Sequence, residues 1–510
     1  MVEEAQTCII HLHPDDPIAI AKYELTVGME LGFFGGPITV KETVPAGHKL
    51  ALKDILPGEE IRRYGYAIGR ATTFIPVGSW VHSHNLELGE SSVERTIRVV
   101  QPEKPEFSEN TFMGYGRPGR RAGLRNYIAL ISTVTCSAHV TSQIARAFTP
   151  ERMAVYPNVD GVVAIVHHSG CSIPPGGLSQ IYLKRALANL AHHPNVAAAV
   201  YIGLGCEVMQ VDDCQPLFSV DEVDDIAPQR LVIQDQGGFQ KTVAAGVRRV
   251  EEMLPQVNAI PRSPQPLADL VVALQCGGSD GWSGITANPL VGRVTDRLAQ
   301  EGATAVLAET PEIYGAEHLL TGRVTSVETA EKLMKRIAWW ESQAKLRGFS
   351  LDNNPTPGNK QGGLTTIFEK SLGAVAKAGS SPLNGVYEYG ERIEASGLVF
   401  MDTPGNDPLS VTGQVAGGCS LILFTTGRGS VYGSALAPCL KIASNTRLAE
   451  RMADDMDFNA GQLLEGMAWE EASRQLFEQV VAIASGQHTK SERNGLSEQE
   501  FVPWQPDASL

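Results

Sequence analysis

The chain has 510 residues, which is too long for one hydrophobic core, so about three domains are expected. Its net charge of −15, from 57 acidic and 42 basic residues, argues against nucleic acid or an anionic membrane as a partner, because both require basic patches. The sequence also predicts no secretory signal peptide and no apolar run approaching the roughly 18 residues of a membrane span. Eight scattered cysteines without a CxxC pair are typical of reduced thiols, so we expect a cytoplasmic protein.

Residues 1–100 are predicted to form a small all-β module. Short β-rich runs at 8–12, 38–40, 49–52 and 96–100 are separated by turn signals of glycine and proline. The next stretch, 101–113, is polar, contains proline and has no periodicity, so it is predicted to be a linker.

From residue 114 onward, strand-like runs alternate with amphipathic helical patterns, which predicts α/β structure with largely parallel sheets. Helices are expected at 178–193, 242–254 and 326–346. The stretch 351–363 is rich in proline, asparagine and glycine, so it is predicted to separate two α/β domains, 114–350 and 351–510. In the second of these, strands are expected at 397–401 and 420–424, and a helix from residue 446.

Four cysteines, Cys136, Cys171, Cys206 and Cys276, each follow closely on an apolar, strand-like run. Ligands of α/β sheets bind beyond the carboxyl ends of the strands, so this repeated position predicts one site assembled from several loops. The alternative is that each is a small buried hydrophobe, which is the common role of a free cysteine.

His82 and His84 lie two residues apart at the end of the β module. Alternate residues of a strand point to the same face, so the pair could present two imidazoles to one metal or one substrate. Exposed histidines without a function are the alternative. Glu309 follows another strand-like run and could be an acid/base group, a metal ligand or the start of a helix.

Lys360 and Arg428 each lie in a glycine-rich segment, PGNKQGG and TTGRG respectively. A cation in such a turn suits a carboxylate or phosphate, because the backbone can approach closely and donate N–H groups. Neither segment matches a GxxxxGKS/T phosphate-binding loop, so nucleotide hydrolysis is not expected. A solvated cation in a surface turn is the alternative.

Together these motifs resemble the altronate/galactarate dehydratase family of sugar-acid hydro-lyases. The resemblance is carried by HHSGC at 167–171, GLGCE at 203–207, CGGSDGWSGITANP at 276–289, PGNK at 357–360 and TTGRG at 425–429. GHK at 47–49 and HSHN at 82–85 resemble the family's N-terminal SAF domain, a β-clip module. The resemblance covers essentially the whole chain in the right order.

The resemblance implies elimination of water from a polyhydroxy acid to give a 2-keto-3-deoxy acid, with a divalent metal as cofactor. Iron(II) is expected, and manganese or an iron–sulfur cluster are the alternatives. Catalytic roles are then expected for His48, His84 and Glu309. Substrate binding is expected from Lys49, Asn85, Ser279, Asp280, Asn288, Lys360 and Arg428. Metal ligands are expected among His82, His84, His167, Cys136, Cys171, Cys206, Glu207 and Cys276.

Altronate is the first expected substrate, because HSHN and the string PEIYGAE at 311–317 look closer to the monocarboxylate branch of the family. Galactarate, or a sulfonated hydroxy acid such as sulfolactate that loses sulfite, are the alternatives within the family. A non-catalytic thiol- or metal-sensing protein is the alternative outside it. We expect a small anionic sugar acid as partner, no nucleic acid, no membrane, and a homo-oligomer.

Overall fold

The computed structural model describes residues 8–33, 36–89, 96–101, 110–214, 226–497 and 500–507. Within these ranges an N-terminal all-β module precedes an α/β region with parallel sheets, which confirms the predicted fold class. Most of the predicted linker, 102–109, lies outside the described residues. The described part contains no helix that is both long enough and apolar enough to cross a membrane.

The N-terminal module is built from short antiparallel strands. They are β1 (Ile9–Ile10), β2 (Ile18–Ala21), β3 (Glu30–Phe33), β4 (Gly36–Thr39), β5 (Lys49–Ala51), β6 (Glu60–Arg63), β7 (Tyr66–Ala71), β8 (Trp80–Val81) and β9 (Leu86–Glu87). One sheet has the order β1-β2-β5-β8, a second pairs β3 with β4, and a third has the order β6-β7-β9.

The strand predicted at 96–100 is wrong, because Val99 makes only an isolated bridge to Val324. Regular β structure resumes at β10 (Thr111–Gly114), inside the predicted linker. This strand forms because it pairs with a distant segment, Ser263–Pro266, a contact that local sequence does not reveal.

The second domain contains a four-stranded parallel sheet in the order β12-β11-β13-β14, made of β11 (Tyr127–Ser132), β12 (Gly161–Ile165), β13 (Val196–Gly203) and β14 (Gln229–Val232). Its helices are α1 (Ala138–Arg146), α2 (Pro150–Met153), α3 (Leu178–Leu190), α4 (Ile233–Gln236) and α5 (Phe239–Asn258), and β15 (Ser263–Pro266) closes the domain. Every residue of β13 is buried, as is typical of a parallel strand covered on both faces. The helices predicted at 178–193 and 242–254 are confirmed, with different ends.

The third domain contains a seven-stranded parallel sheet in the order β18-β19-β17-β16-β20-β21-β22. Its strands are β16 (Val271–Cys276), β17 (Thr304–Leu307), β18 (Leu383–Tyr387), β19 (Gly397–Met401), β20 (Leu421–Thr426), β21 (Cys439–Ala443) and β22 (Phe458–Asn459). Its helices are α6 (Ala287–Gln300), α7 (His318–Thr321), α8 (Val327–Arg347), α9 (Pro357–Gln361), α10 (Ile367–Val375), α11 (Asp407–Ala416), α12 (Thr446–Arg451), α13 (Trp469–Ala484) and α14 (Lys490–Arg493).

Short 3-10 helices occur in both α/β domains, at Thr135–Ser137, Val211–Asp213, Leu267–Asp269, Thr310–Glu312, Leu351–Asn353, Ala376–Ala378 and Ala460–Glu465.

The sheet of the third domain takes strands from both sides of residue 350, so the division predicted there passes through one continuous sheet. The proline-rich stretch 351–363 instead contains the short helix α9. Thr356 caps this helix and Pro357 occupies its first turn. Proline and threonine are favoured at those positions, so here they mark the start of a helix and not the end of a domain.

The β module packs directly on the third domain. Ile18 of the module and Leu290 of α6 belong to one apolar core. The two main chains also meet, since a Cβ at Gly281 would lie 2.2 Å from the carbonyl oxygen of Gly47. Only glycine permits this approach, which brings the module against the loop that follows β16.

Candidate active site

A cavity of about 840 Å³ opens between the β module and the third domain. His48, Trp80 and His82 line it from the module, and Asp280, Lys360 and Arg428 line it from the third domain. The loops that follow β16 and β20 reach this cavity, as expected for a site beyond the carboxyl ends of parallel strands. Five of the sequence-predicted residues are therefore brought together here.

The cavity is locally cationic although the whole chain is strongly acidic. Among the described residues that line it, five are lysine or arginine and three are aspartate or glutamate. Arg428 is exposed in the loop after β20 and donates from Nη2 to Gln361 Oε1 at 2.6 Å. Lys360 lies on α9 and not in an open turn as expected. Such a lining favours a small anionic ligand.

Three of the cavity cations were not predicted from the sequence: Lys22, Arg447 and Arg451. The segment around 446–451 was recognised as helical, but its side chains carry no local motif. The Arg451 guanidinium donates to the carbonyl of Arg428 at 3.1 Å, which places two arginines at the same wall.

Asp280 is a buried carboxylate in the cavity wall. Its oxygens accept from the backbone N–H groups of Trp282 and Ser283 at 3.1 and 2.9 Å, and from the side chains of Ser283, Ser444 and Asn445 at 2.9, 2.9 and 3.0 Å. Burial raises the pKa of Asp280, and these hydrogen bonds oppose that rise. Ser444 and Asn445 were not identified from the sequence.

His48 and His82 are stacked, with ring centroids 5.2 Å apart. Nε2 of His48 is 3.2 Å from the carbonyl oxygen of Gln361, and Nε2 of His82 is 2.8 Å from that of Lys360. Burial, with a smaller contribution from the Lys49 charge, lowers the pKa of His48 to about 4 and also lowers that of His82. Both imidazoles are therefore neutral near pH 7, as a proton acceptor must be.

His82 and His84 do not lie on a strand, because β8 ends at Val81 and the chain turns. His84 is exposed and contacts Trp80 at 5.2 Å between ring centroids, away from the cavity lining. Asn85 is buried and closes the turn: its Oδ1 accepts from His82 N and its Nδ2 donates to Trp80 O, both at 2.9 Å. The prediction that His82 and His84 share one face of a strand is therefore wrong, because this segment forms a turn.

Lys49 is fully buried, and its Nζ donates to Glu369 Oε1 at 2.8 Å and to Gly363 O at 2.7 Å. Arg63 donates to the same carboxylate and to Gly281 O. Burial alone would raise the pKa of Glu369, but these two cations lower it to about 2. Lys49 was expected to bind substrate, yet it belongs to a buried ion triad, Lys49–Arg63–Glu369, that joins the module to the third domain.

Ser279 and Asn288 lie near the cavity but inside the protein. Asn288 donates to Gly373 O at 2.9 Å and accepts from Thr425 Oγ1 at 2.6 Å, so its amide connects α10 to β20. Ser279 contributes its carbonyl oxygen, which accepts from Asn359 Nδ2 at 2.8 Å, and its hydroxyl is buried. Both residues position the wall of the cavity.

A second polar cluster is buried below the loop that follows β16. Single ligand atoms of Cys276, Glu309 and Glu312 lie within 4.8 Å of one another, so the cluster could hold a metal ion. Lys370 donates to Glu312 at 2.7 Å and Lys377 to Glu309 at 3.3 Å. Glu309, expected to be catalytic, does not line the cavity.

Two acidic groups of this second cluster have raised pKa values. Burial, followed by the neighbouring Glu312 carboxylate, raises the pKa of Glu309 to about 8, and burial raises the pKa of the Cys276 thiol to about 12. Within the described residues Glu309 Oε1 has no hydrogen-bond partner. Glu309 also adopts a left-handed backbone, with φ of 68°. Strain and an unpaired oxygen of this kind occur at functional sites.

The remaining predicted metal ligands lie in the second domain. Cys136, Cys171 and Cys206 follow β11, β12 and β13, on a different sheet from Cys276, so the four cysteines do not form one site. His167 and Glu207 are buried beside them and bonded to the loops. These five residues form a separate region.

Three family domains match the chain in order. They are the altronate/galactarate dehydratase SAF domain over residues 7–89, the D-galactarate dehydratase/altronate hydrolase second domain over 114–258, and the D-galactarate/altronate dehydratase C-terminal domain over 267–509. Their limits agree with the module and the two α/β domains of the fold.

The chain is 35% identical to altronate dehydratase of Bacillus subtilis over 492 residues, covering 96% of this chain and 97% of that protein. It is 36% identical to galactarate dehydratase (L-threo-forming) of Escherichia coli over 506 residues, covering 97% and 96%. It is 31% identical to the (2R)-sulfolactate sulfo-lyase subunit beta of Chromohalobacter salexigens over 406 residues, covering 78% and 98%. The chain belongs to the altronate/galactarate dehydratase family of hydro-lyases.

Proposed function

We propose that this protein dehydrates an aldonic acid, with altronate as the first-choice substrate, to give a 2-keto-3-deoxy acid. The observation that carries the proposal is the cationic cavity where the β module meets the third domain of a family dehydratase. A sugar acid brings one carboxylate and several hydroxyls. The cavity offers lysine and arginine side chains to bind the carboxylate. It offers histidine, aspartate and asparagine side chains to bind the hydroxyls.

Arg428 and Lys360 are proposed to bind the substrate carboxylate. Arginine can hold a carboxylate through two parallel hydrogen bonds, and Arg428 is exposed at the cavity, where its side chain donates to Gln361. As the proton next to the carboxylate leaves, negative charge grows on the carboxylate oxygens. Fixed cations at this position stabilise that charge.

His48 is proposed as the proton acceptor. Its imidazole is neutral near pH 7 because burial lowers its pKa to about 4. Its Nδ1 accepts from the Trp80 indole N–H at 3.2 Å, a long hydrogen bond that a substrate group can replace. Asp280 lies in the same wall and is proposed to orient substrate hydroxyls.

A divalent metal is part of the proposal, with iron(II) first and manganese second. Cys276, Glu309 and Glu312 would hold it, since two carboxylates and a thiolate suit these ions and Glu309 Oε1 is a buried oxygen without a partner in the described part. Such an ion would supply Lewis acidity to an oxygen ligand, although its three residues do not line the cavity. Lys370 and Lys377 each donate to one carboxylate oxygen of this cluster, and Glu309 Oε1 stays available to an ion.

Galactarate and sulfolactate are the alternative substrates, because curated enzymes with those names share 36% and 31% identity with the chain. A diacid needs cations at both ends, and Arg447 and Arg451 extend the positive lining beyond Arg428. A cytoplasmic location and a homo-oligomeric state stay predictions from the sequence.

The test is to assay purified protein with altronate, galactarate and sulfolactate under anaerobic conditions, with iron(II) and a reductant. Formation of 2-keto acid from altronate at the highest kcat/KM supports the proposal. Higher efficiency on galactarate, or sulfite release from sulfolactate, would reassign the substrate. Metal binding without turnover of any sugar acid would favour a sensor.

A further inference from the structure

Three cysteines form a distinct group at one end of the second domain. Cys136, Cys171 and Cys206 follow β11, β12 and β13, which are neighbours in the parallel sheet. All three thiols are exposed. A cysteine that acts as a small hydrophobe is buried, as the cysteines at 214, 276, 419 and 439 are, so packing does not explain these three.

The loops that carry the three cysteines are fixed to one another. Thr135 N donates to Ser169 O at 2.9 Å, which joins the first loop to the second. Met209 N donates to Gly170 O at 3.0 Å, which joins the second to the third. A Cβ at Gly170 would lie 2.3 Å from the carbonyl oxygen of Thr133, so these backbones are in direct contact.

Two buried polar side chains brace the same loops from below. Glu207 accepts from Thr133 Oγ1 at 2.9 Å and from Leu204 N and Gly205 N at 3.0 and 2.6 Å. His167 has both ring nitrogens engaged, with Ser132 O and with its own loop. These residues were expected to be metal ligands, but their atoms already have partners, so they position the loops that present the thiols.

The spacing of the three thiols points away from a single metal ion. Two sulfurs on one zinc ion lie at most about 4.6 Å apart, because each Zn–S bond is about 2.3 Å. Among the described residues, the only group of three potential ligands whose atoms lie within 4.8 Å of one another is Cys276, Glu309 and Glu312. At least one pair of the three exposed sulfurs is therefore more than 4.8 Å apart. Larger separations of this kind occur where cysteines bind different irons of one cluster.

We propose that Cys136, Cys171 and Cys206 bind an iron–sulfur cluster of the 4Fe–4S type. Each thiolate binds one iron, and the fourth iron has no cysteine and is open to a small oxygen ligand. Three rigid loops with exposed thiols present the ligands, and binding releases the three thiol protons. The site shares no residue with the cavity, so its failure would leave the proposed function intact.

The test is anaerobic reconstitution of the full-length protein with ferrous iron and sulfide. We expect about four irons and four acid-labile sulfides per chain, together with the visible absorption of an iron–sulfur cluster. Cys136→Ser, Cys171→Ser and Cys206→Ser should each lose most of the bound sulfide. Cys8→Ser, in the β module, should retain all of it and is the matched control.

A second measurement uses the wild-type protein, so it does not depend on whether the cysteine variants fold. In the wild-type protein, alkylation followed by mass spectrometry should modify the three thiols before reconstitution and spare them afterwards. Iron bound without sulfide, full sulfide retention in all three variants, or equal alkylation before and after reconstitution would each overturn the proposal.

Discussion

Lys49 and Lys360 both lie where the β module meets the third domain, yet they have opposite environments. Lys49 is fully buried against Glu369, and burial lowers its pKa to about 8. Lys360 lines the open cavity. The comparison shows that two lysines from similar motifs differ in their access to the cavity, because the fold pairs Lys49 with a buried carboxylate and leaves Lys360 at the cavity wall. Substitutions in the buried ion triad should therefore affect stability, and substitutions of the cavity cations should affect substrate binding.

Glu369→Gln should have the largest effect. It leaves Lys49 and Arg63 buried without their shared carboxylate, which typically costs about 3–5 kcal/mol. Urea unfolding should show this loss in the free energy of unfolding. The control is Glu59→Gln, which removes an exposed ion pair with Lys53 within the β module. It should lower the free energy of unfolding by about 0–1 kcal/mol. Equal losses in the two variants would show that the triad does not stabilise the junction.

Arg428→Ala should raise KM for the sugar acid by roughly 10- to 100-fold, the range expected for loss of a charged hydrogen bond of about 1.5–3 kcal/mol. The melting temperature should change little, because the side chain is exposed. Arg62→Ala, an exposed arginine outside the cavity, is the control. A large fall in melting temperature with unchanged kinetics would assign Arg428 to the fold.

Acidification should destabilise the fold through histidines whose pKa values burial lowers. The folded state holds the pKa of His48 at about 4, below the ordinary value of 6.5, so the unfolded state binds more protons between these values. Stability is full above pH 6.5 and falls as the pH drops towards 4, by up to about 1.4 kcal/mol per pH unit for each such histidine. His167 and His193, both lowered to about 4, add to the same trend.

Thermal melts between pH 4 and pH 7 measure this dependence. His48→Asn should make it shallower, and an identical slope in the variant would show that His48 titrates normally in the fold.

Lys360→Met should have the smallest effect, a rise in KM of about tenfold or less, because one lysine contributes a single point charge. Stability should be unchanged, since His82 contacts the main-chain carbonyl of residue 360 and not its side chain. Lys335→Met, exposed on α8, is the control. A destabilised Lys360→Met protein would contradict the assignment of this side chain to the cavity.

The sequence predicted the fold class well, because all-β and α/β segments differ in local periodicity. It did not predict that the third domain begins before residue 271, because β16 pairs with β17 and β20, and such parallel pairings are non-local. The stretch 351–363 has the composition of a boundary, but its proline and threonine start α9.

The motifs identified residues near the cavity but did not separate direct contacts from supporting ones. Asp280 and Arg428 line the cavity, whereas Asn85 and Asn288 complete hydrogen bonds within the protein. This difference depends on partners such as Trp80 O and Gly373 O, which are main-chain atoms and leave no trace in side-chain patterns. Arg451 reaches the cavity from a helix that has no motif.

The contacts of His48 and His82 with the carbonyl oxygens of residues 361 and 360 have a consequence for evolution. Every amino acid supplies the same carbonyl, so these contacts persist whatever side chains stand at the two positions. Mutations there can alter the charge and shape of the cavity while the module stays attached. The lining of the cavity can therefore diverge at these two positions without loss of either contact between the domains.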